Sequence, residues 1–157
     1  MNSTKLIGKI FAPRQREIDL YGTKAEEIQA RVFRKLIQSA SATEWGKKYD
    51  FSQIRNYTDF QRVPIQTYED VKGYVDRMRH GEKDVLWPGK VIWYAKSSGT
   101  TNDKSKFIPV SPEGLKGIHY RGGTDAVALY LRENPESRFF SGKGLILGGS
   151  HSPNYNV

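Results

Sequence analysis

The chain has 157 residues, which fits one ordinary domain, and 37% of them are hydrophobic and 12% aromatic. This apolar content is enough to build a core and excludes wholesale disorder. The lack of cysteine excludes disulfides, thiolate catalysis and cysteine-bound zinc. No stretch approaches about 18 consecutive apolar residues, and residues 1–10 have no continuous apolar run, so we expect neither a membrane span nor a signal peptide. The cytoplasm is therefore the expected compartment.

Basic charge is concentrated near the N-terminus. The formal net charge is +8, and residues 1–48 hold ten basic against five acidic side chains. Two interpretations stay open: a solvated surface, and a small basic module that binds RNA or another nucleic acid through its phosphates. The scattered positions favour the solvated surface, because no basic run is longer than two residues. We therefore expect no specific nucleic-acid partner.

Two helices are predicted in the first half of the chain. The first covers Lys24–Ala40, where apolar residues recur at spacings of three and four. A loop or turn is expected over Asp50–Asn56. The second helix begins after the N-cap Thr67 and runs to about Met78, with a stop at Gly81. Its expected buried side consists of Val71, Tyr74, Val75 and Met78.

Two strands and a long helix are predicted after Gly81. Val91–Ala95 is rich in β-branched and aromatic residues, so we interpret Trp93 and Tyr94 as core packing on a strand. Phe107–Val110 is a second short strand, at an edge or a strand end because of Pro109. A helix starts at Ser111-Pro112-Glu113 and runs toward Arg132. Gly122-Gly123 weakens the middle of this helix and is a candidate break.

A third strand is predicted over Lys143–Gly148. Helices that alternate with strands indicate an α/β fold, with helices plus a partial sheet. Three strands make a thin sheet, and the last has no following element to cover it. We therefore expect a domain cut in mid-sheet, whose open edge favours self-association.

The polar segment Lys96–Lys106 carries the chemistry. Four hydroxyls surround Gly99, which permits backbone angles that point successive N–H groups at one anion. The segment is not a Walker A loop, because it lacks the second glycine before the lysine and is followed by a predicted strand. A phosphate-binding loop and a flexible polar linker both fit this composition.

One stretch of the chain, Ser97-Ser98-Gly99-Thr100-Thr101 with the later Lys106-Phe107-Ile108-Pro109, resembles the phosphate loop of the acyl-adenylate-forming superfamily. Further stretches resemble the plant auxin-responsive acyl acid amido synthetases and their bacterial relatives. These are Trp45-Gly46-Lys47-Lys48-Tyr49, Val63-Pro64-Ile65, Tyr68-Glu69-Asp70, Asp84–Gly89, and Gly142-Lys143 running to Gly148-Gly149-Ser150. The resemblance extends from about residue 25 to the end of the chain.

The resemblance implies a function and a site. It implies an enzyme that uses ATP and Mg²⁺ to activate a small carboxylic acid as acyl-AMP, and then forms an amide with an amino acid or another amine. A thiol acceptor such as coenzyme A is the alternative within the superfamily. The implied phosphate loop covers residues 96–106, with Ser97, Ser98, Gly99, Thr100, Thr101 and Lys106 as the binding residues. No residue is assigned a catalytic role.

The chain departs from the family pattern in two ways. Many relatives have a glycine where Asn102 or Asp103 stands; asparagine tolerates the left-handed conformation, whereas Asp103 adds negative charge beside the phosphates. The later family motifs, which supply the adenine and ribose contacts and the mobile C-terminal domain, are missing. We therefore expect residues 1–157 to be the N-terminal part of the large domain of an acyl-adenylate-forming enzyme, inactive by itself.

Histidines give weaker signals. His119 follows the loop on a predicted helix, and is either structural or directed toward the acid pocket. His80 and His151 lie at no convincing metal-ligand spacing, so we assign no metal site. Gly148-Gly149-Ser150 is either a tight turn or a place where the backbone approaches the substrate.

Overall fold

The computed structural model describes residues 3–97 and 105–145. These ranges contain helices and a small antiparallel sheet, which confirms the α/β prediction of helices plus a partial sheet. The helices are α1 (Ser3–Thr23), α2 (Ala25–Ala40), α3 (Glu44–Lys48), α4 (Tyr57–Phe60), α5 (Tyr68–Arg79), α6 (Pro112–Gly114) and α7 (Arg121–Glu133). The strands are β1 (Trp93–Lys96) and β2 (Phe107–Val110). None of the helices described is long and apolar enough to cross a bilayer.

The first predicted helix, α2, is confirmed, and its first turn carries Glu26 and Glu27, which suit the positive end of the helix dipole. Ile37 and Ala40 are buried and pack with Phe51. The loop or turn expected over Asp50–Asn56 is confirmed. It contains a 3₁₀ turn, Phe51–Gln53, which the burial of Phe51 holds in place.

The second predicted helix, α5, is also confirmed. The carboxylate of Asp70 accepts hydrogen bonds from the backbone N–H and the hydroxyl of Thr67, at 2.7 and 2.6 Å, and so closes the N-terminus. These bonds lower the pKa of Asp70. At the other end Gly81 has a φ of +94°, which glycine adopts without strain. Val75 and Met78 are buried, and they anchor α5 to the rest of the domain.

The sheet has two strands in the described part of the chain. β1 and β2 are antiparallel, and Trp93 lies opposite Val110, and Lys96 opposite Phe107. The prediction that Trp93 packs in the core is wrong, because its side chain is 63% exposed. The alternation of a strand places Trp93 on the opposite face from Tyr94, and Tyr94 packs against the buried cluster of Met78, Val85 and Val91.

The predicted third strand over Lys143–Gly148 is not observed where the chain is described. Residues 143–145 are not in a strand, and residues 146–148 lie outside the described ranges. The helix predicted to start at Ser111 begins as expected, with the Ser111 hydroxyl accepting a bond from the Gly114 N–H.

The predicted break at Gly122-Gly123 is wrong, because both glycines lie inside α7. The irregularity comes earlier, as a π-helical segment over Leu115–Tyr120. Burial of Ala128 and Leu131 explains the continuity, since tertiary packing of an apolar face outweighs the low helix propensity of two glycines. The same face of α7 contacts α1, a helix that the sequence analysis did not predict.

A candidate phosphate-binding site between β1 and β2

Two predicted site residues flank the connection between the strands. Ser97 follows β1 and Lys106 precedes β2. The Ser97 N–H donates to the Lys106 carbonyl, and the Lys106 N–H donates to the Ser97 hydroxyl oxygen, both at 2.9 Å. The other four predicted site residues lie outside the described residues: Ser98, Gly99, Thr100 and Thr101. The structure therefore tests only the two ends of the predicted loop, and it shows that Ser97 and Lys106 are hydrogen-bonded to each other.

These hydrogen bonds leave the Ser97 hydroxyl proton and the Lys106 ammonium able to bind an anion. The Ser97 hydroxyl accepts from a backbone donor, and a hydroxyl in that role still has its own proton to donate to an anion. Lys106 is exposed to solvent. Its ammonium lies 5.5 Å from the ring centroid of Tyr68, a cation–π distance. A hydroxyl donor and a lysine side chain are therefore carried by two hydrogen-bonded residues where the strands join the loop.

Further positive charge surrounds Phe107, the first residue of β2. The Arg79 guanidinium carbon lies 3.7 Å from the centroid of the Phe107 ring, and the Lys96 ammonium lies 5.9 Å from it. Arg79 also pairs with Asp76 at 3.3 Å. With Lys106, these side chains make the end of the sheet basic, which favours an anion over a neutral ligand.

Helix α5 supports this end of the sheet. The Tyr68 hydroxyl oxygen lies 3.0 Å from the Phe107 N–H nitrogen and 3.4 Å from the Phe107 carbonyl oxygen. Tyr68 lies in a stretch that resembles the family, but the sequence predicted no role for it in the site. Arg79 was also missed. The one available signal for Tyr68 was its position next to the N-cap Thr67, which fixes where α5 begins.

An apolar cavity of about 680 Å³ opens beside the sheet. Its lining includes residues from α5, both strands and the π-helical segment, among them Met78, Trp93, Tyr94, Leu115 and His119, and also Trp87 from the connection between α5 and β1. Ala95 and Pro109, which also line it, are close in sequence to Ser97 and Lys106. Trp93 was predicted to pack in the core, but in the structure it is exposed and lines this cavity.

The histidines make no metal centre in the described part of the chain, where no group of three or more His, Cys, Asp or Glu side chains converges. His80 ends α5, and its Nδ1 lies 2.8 Å from the Asp76 carbonyl. His119 lines the apolar cavity beside Tyr120. His151 lies outside the described residues, as does Gly148-Gly149-Ser150.

Comparison with known proteins decides the family. The model of the GH3 family N-terminal domain matches residues 14–155. This chain belongs to the GH3 family. It is 30% identical over 95 residues to the indole-3-acetic acid-amido synthetase GH3.15 of Arabidopsis thaliana, which covers 60% of this chain and 16% of that relative. It is 28% identical over 99 residues to the jasmonoyl–L-amino acid synthetase JAR4 of Nicotiana attenuata, covering 62% of this chain and 17% of the relative.

Membership in the GH3 family confirms the resemblance to auxin-responsive amido synthetases. The putative indole-3-acetic acid-amido synthetase GH3.9 of Arabidopsis thaliana matches similarly, at 32% identity over 102 residues. The chain spans only 16–17% of the length of these three relatives. The family is one of acid–amino acid ligases, whereas the substrates named for the relatives belong to those proteins.

Proposed function

We propose that this chain is part of an ATP-dependent ligase that activates a carboxylic acid as acyl-AMP and joins it to an amino acid or another amine. In the first step a carboxylate oxygen attacks the α-phosphorus of ATP, and the bond to pyrophosphate breaks. In the second step the amine nitrogen attacks the acyl carbon, AMP leaves, and the nitrogen loses a proton. The family membership supports the overall reaction, since its curated relatives are named as amido synthetases.

The role proposed for the 96–106 segment is to hold the β- and γ-phosphates. The observation that carries it is the direct pairing of Ser97 with Lys106 at a basic end of the sheet. Negative charge builds on pyrophosphate as it leaves, and fixed donors and cations aimed at that charge lower the barrier. Magnesium, arriving with ATP, would neutralise part of the same charge.

The acid is proposed to bind in the apolar cavity beside the sheet. Its volume of about 680 Å³ is in the range of small-molecule sites, and its lining is mainly apolar and aromatic. Trp93 and His119 both line it, and the strands connect it directly to Ser97 and Lys106. This arrangement suits an aryl or alkyl acid whose carboxylate points toward the loop.

A nucleic-acid function is less well supported. Arg14, one of the ten basic residues in the first 48, is occupied by Asp125 and Glu17, and Lys48 donates to the Tyr74 hydroxyl at 2.9 Å. Cations used in this way are poorly placed to contact phosphates. In a gel-shift assay at about 150 mM salt we expect no tight binding to duplex DNA or RNA.

ATP–pyrophosphate exchange tests the proposed function. The assay is run with aryl and alkyl acids on this chain and on a chimera in which residues 14–155 replace the matching part of a plant amido synthetase. We expect the chain alone to be silent and the chimera to exchange. Lys106→Gln, or Ser98→Ala with Thr100→Ala, should lower exchange by about tenfold or more, because each removes a phosphate donor.

Lys72→Gln is the matched control, since Lys72 is an exposed lysine on α5. Equal exchange by the Lys106→Gln and Lys72→Gln chimeras would show that the segment is not the phosphate site. Replacing the amine with coenzyme A in the second step separates the two acceptors: a thioester product instead of an amide would favour an acyl-CoA ligase.

A further inference from the structure

The Tyr68 hydroxyl contacts backbone groups at the outer edge of β2. Ser97 and Lys106 form a hydrogen-bonded position of the antiparallel pair, through the Ser97 N–H and the Lys106 carbonyl. Such positions alternate with ones whose backbone groups point away from the partner strand. The next pair, Lys96 with Phe107, is therefore of the outward kind. The Phe107 N–H and carbonyl point away from β1, and the Tyr68 hydroxyl contacts both.

Pro109 agrees with this pattern. It lies opposite Tyr94, two residues along β2, at the next outward-pointing position. A proline has no N–H, so it leaves no donor unpaired there. Phe107 is the other residue of β2 at an outward position, and it does have an N–H. Tyr68 supplies the acceptor for that donor at 3.0 Å, in the place that a neighbouring strand would otherwise occupy.

The same tyrosine contacts Lys106 through its ring. The Lys106 ammonium lies 5.5 Å from the centroid of the Tyr68 ring, while the hydroxyl of that ring bonds the peptide of the next residue. Two parts of the Tyr68 side chain thus hold Lys106: the ring contacts its ammonium, and the hydroxyl accepts a hydrogen bond from the backbone of the next residue. Arg79, from the far end of α5, stacks over the ring of Phe107, the residue that follows Lys106.

We propose that Tyr68 is a positioning residue for Lys106, the cation of the proposed phosphate site. The inference rests on the proposed function. A lysine side chain has many rotamers, and ordering it on phosphate costs entropy. Holding the ammonium over an aromatic ring and fixing the following peptide reduces that cost before ATP arrives, so affinity for the triphosphate rises. Tyr68 acts through Lys106 and does not itself contact the phosphates.

Nuclear magnetic resonance on the 157-residue chain tests this, because it measures weak binding residue by residue. The labelled protein is titrated with Mg·ATP while the amide signals of Ser97, Lys106 and Phe107 are followed. Tyr68→Phe keeps the ring and removes the hydroxyl. We expect it to raise the Kd by about fivefold, the weight of one net hydrogen bond, and to speed hydrogen exchange of the Phe107 amide. Tyr57→Phe, at an exposed tyrosine on α4, is the matched control.

A double-mutant cycle separates positioning from simple structural support. Lys106→Gln should weaken binding, and Tyr68→Phe added to it should cause no further loss, since its effect passes through Lys106. Equal Kd values for the wild type and Tyr68→Phe, or full additivity with Lys106→Gln, would overturn the inference. If ATP moves none of these amide signals in the wild type, the phosphate site itself is wrong and the role of Tyr68 fails with it. Thermal unfolding of each variant confirms that the fold is intact.

Discussion

The contact between α1 and α7 combines apolar burial of Ala128 and Leu131 with charge pairs, whereas the core beneath α5 is built from apolar side chains. At the first, Arg14 binds Asp125 through two bonds, from Nε to Oδ1 at 2.5 Å and from Nη2 to Oδ2 at 2.6 Å. Arg132 pairs with Asp19 at 2.7 Å, and the Gln15 amide donates to the Ala128 carbonyl at 2.8 Å. Under α5, by contrast, the buried side chains are apolar: Val75, Met78, Val85 and Val91 are each at most 3% exposed.

The two arrangements should respond to different conditions. Apolar burial is insensitive to pH and is strengthened by salts that are excluded from protein surfaces. A charge pair depends on the protonation of its acid and is weakened by salt to the extent that water reaches it. The α1–α7 contact should show intermediate sensitivity to salt, because the Arg14 and Asp125 side chains are 12% and 21% exposed and water reaches their charges only in part. The comparison therefore predicts a graded set of mutational effects.

The largest effect is expected in the α5 core. Met78 is 1% exposed and contacts Val85 and Val91. Met78→Ala removes that packing and leaves a cavity, at a cost of roughly 2–5 kcal/mol in the free energy of unfolding. Urea denaturation measures this, and Met78→Leu, which nearly conserves volume, should cost less than about 1.5 kcal/mol. A small loss for the alanine variant would show that this core collapses around the gap and is less tightly packed than its burial indicates.

Local sequence signals predicted the elements near this core. Thr67 and Asp70 fix the start of α5 and Gly81 its end, and each of these signals lies within a few residues of the helix end that it sets. The phosphate-loop motif likewise led to Ser97 and Lys106. Tyr68 and Arg79 were missed as parts of the site, because Tyr68 reaches Phe107 across 39 positions and no pattern within one segment encodes such a contact.

Helix α1 shows the same limit more clearly. Its partner residue for Arg14 is 111 positions away, at Asp125. Its own apolar residues Leu6 and Ile10 are 49% and 69% exposed, so the apolar pattern on which a sequence prediction relies is not the side that packs. The continuity of α7 through Gly122-Gly123 has the same cause. Both features depend on one tertiary contact rather than on local propensity.

A change at Asp125 should have an intermediate effect. Asp125→Asn removes the charge that Arg14 pairs with, and we expect a loss of about 1–2 kcal/mol at neutral pH, since water partly screens the pair. Asp19→Asn is the matched control on the same contact, because its carboxylate is 63% exposed and should matter less. Chemical denaturation measures both. Equal losses for the two variants would show that burial does not strengthen the Arg14–Asp125 pair.

The same variant predicts a pH dependence. The hydrogen bonds from Arg14 lower the pKa of Asp125 in the folded protein. The unfolded chain therefore takes up the proton first as pH falls, so this stabilisation is complete above the unfolded pKa of about 3.9 and is lost as pH falls toward the folded pKa. The thermal midpoint of the wild type should thus fall more steeply below about pH 5 than that of Asp125→Asn. Parallel curves would mean that Asp125 does not contribute to acid sensitivity.

The smallest effect is expected where charge occurs with little burial. Arg77 on α5 binds Glu44 of α3 at 2.6 Å and also pairs with Glu82. The hydrogen bond from Arg77 lowers the pKa of Glu44, yet the Arg77 and Glu44 side chains are 42% and 44% exposed. The geometry is as close as that of Arg14 with Asp125, so the two pairs differ mainly in their access to water. Glu44→Gln should accordingly lower the thermal midpoint less than Asp125→Asn does.

Salt sharpens this last comparison, because it acts on the exposed pair most strongly. At about 1 M salt the screening length falls to roughly 3 Å, so the difference between the wild type and Glu44→Gln should nearly vanish. The Asp125→Asn difference should largely persist, since its pair is less accessible to ions. Glu82→Gln serves as the control, because it removes the other acid from the same arginine at similar exposure. A Glu44→Gln effect that equals that of Asp125→Asn and survives high salt would show that pairing geometry, and not burial, sets the strength of both contacts.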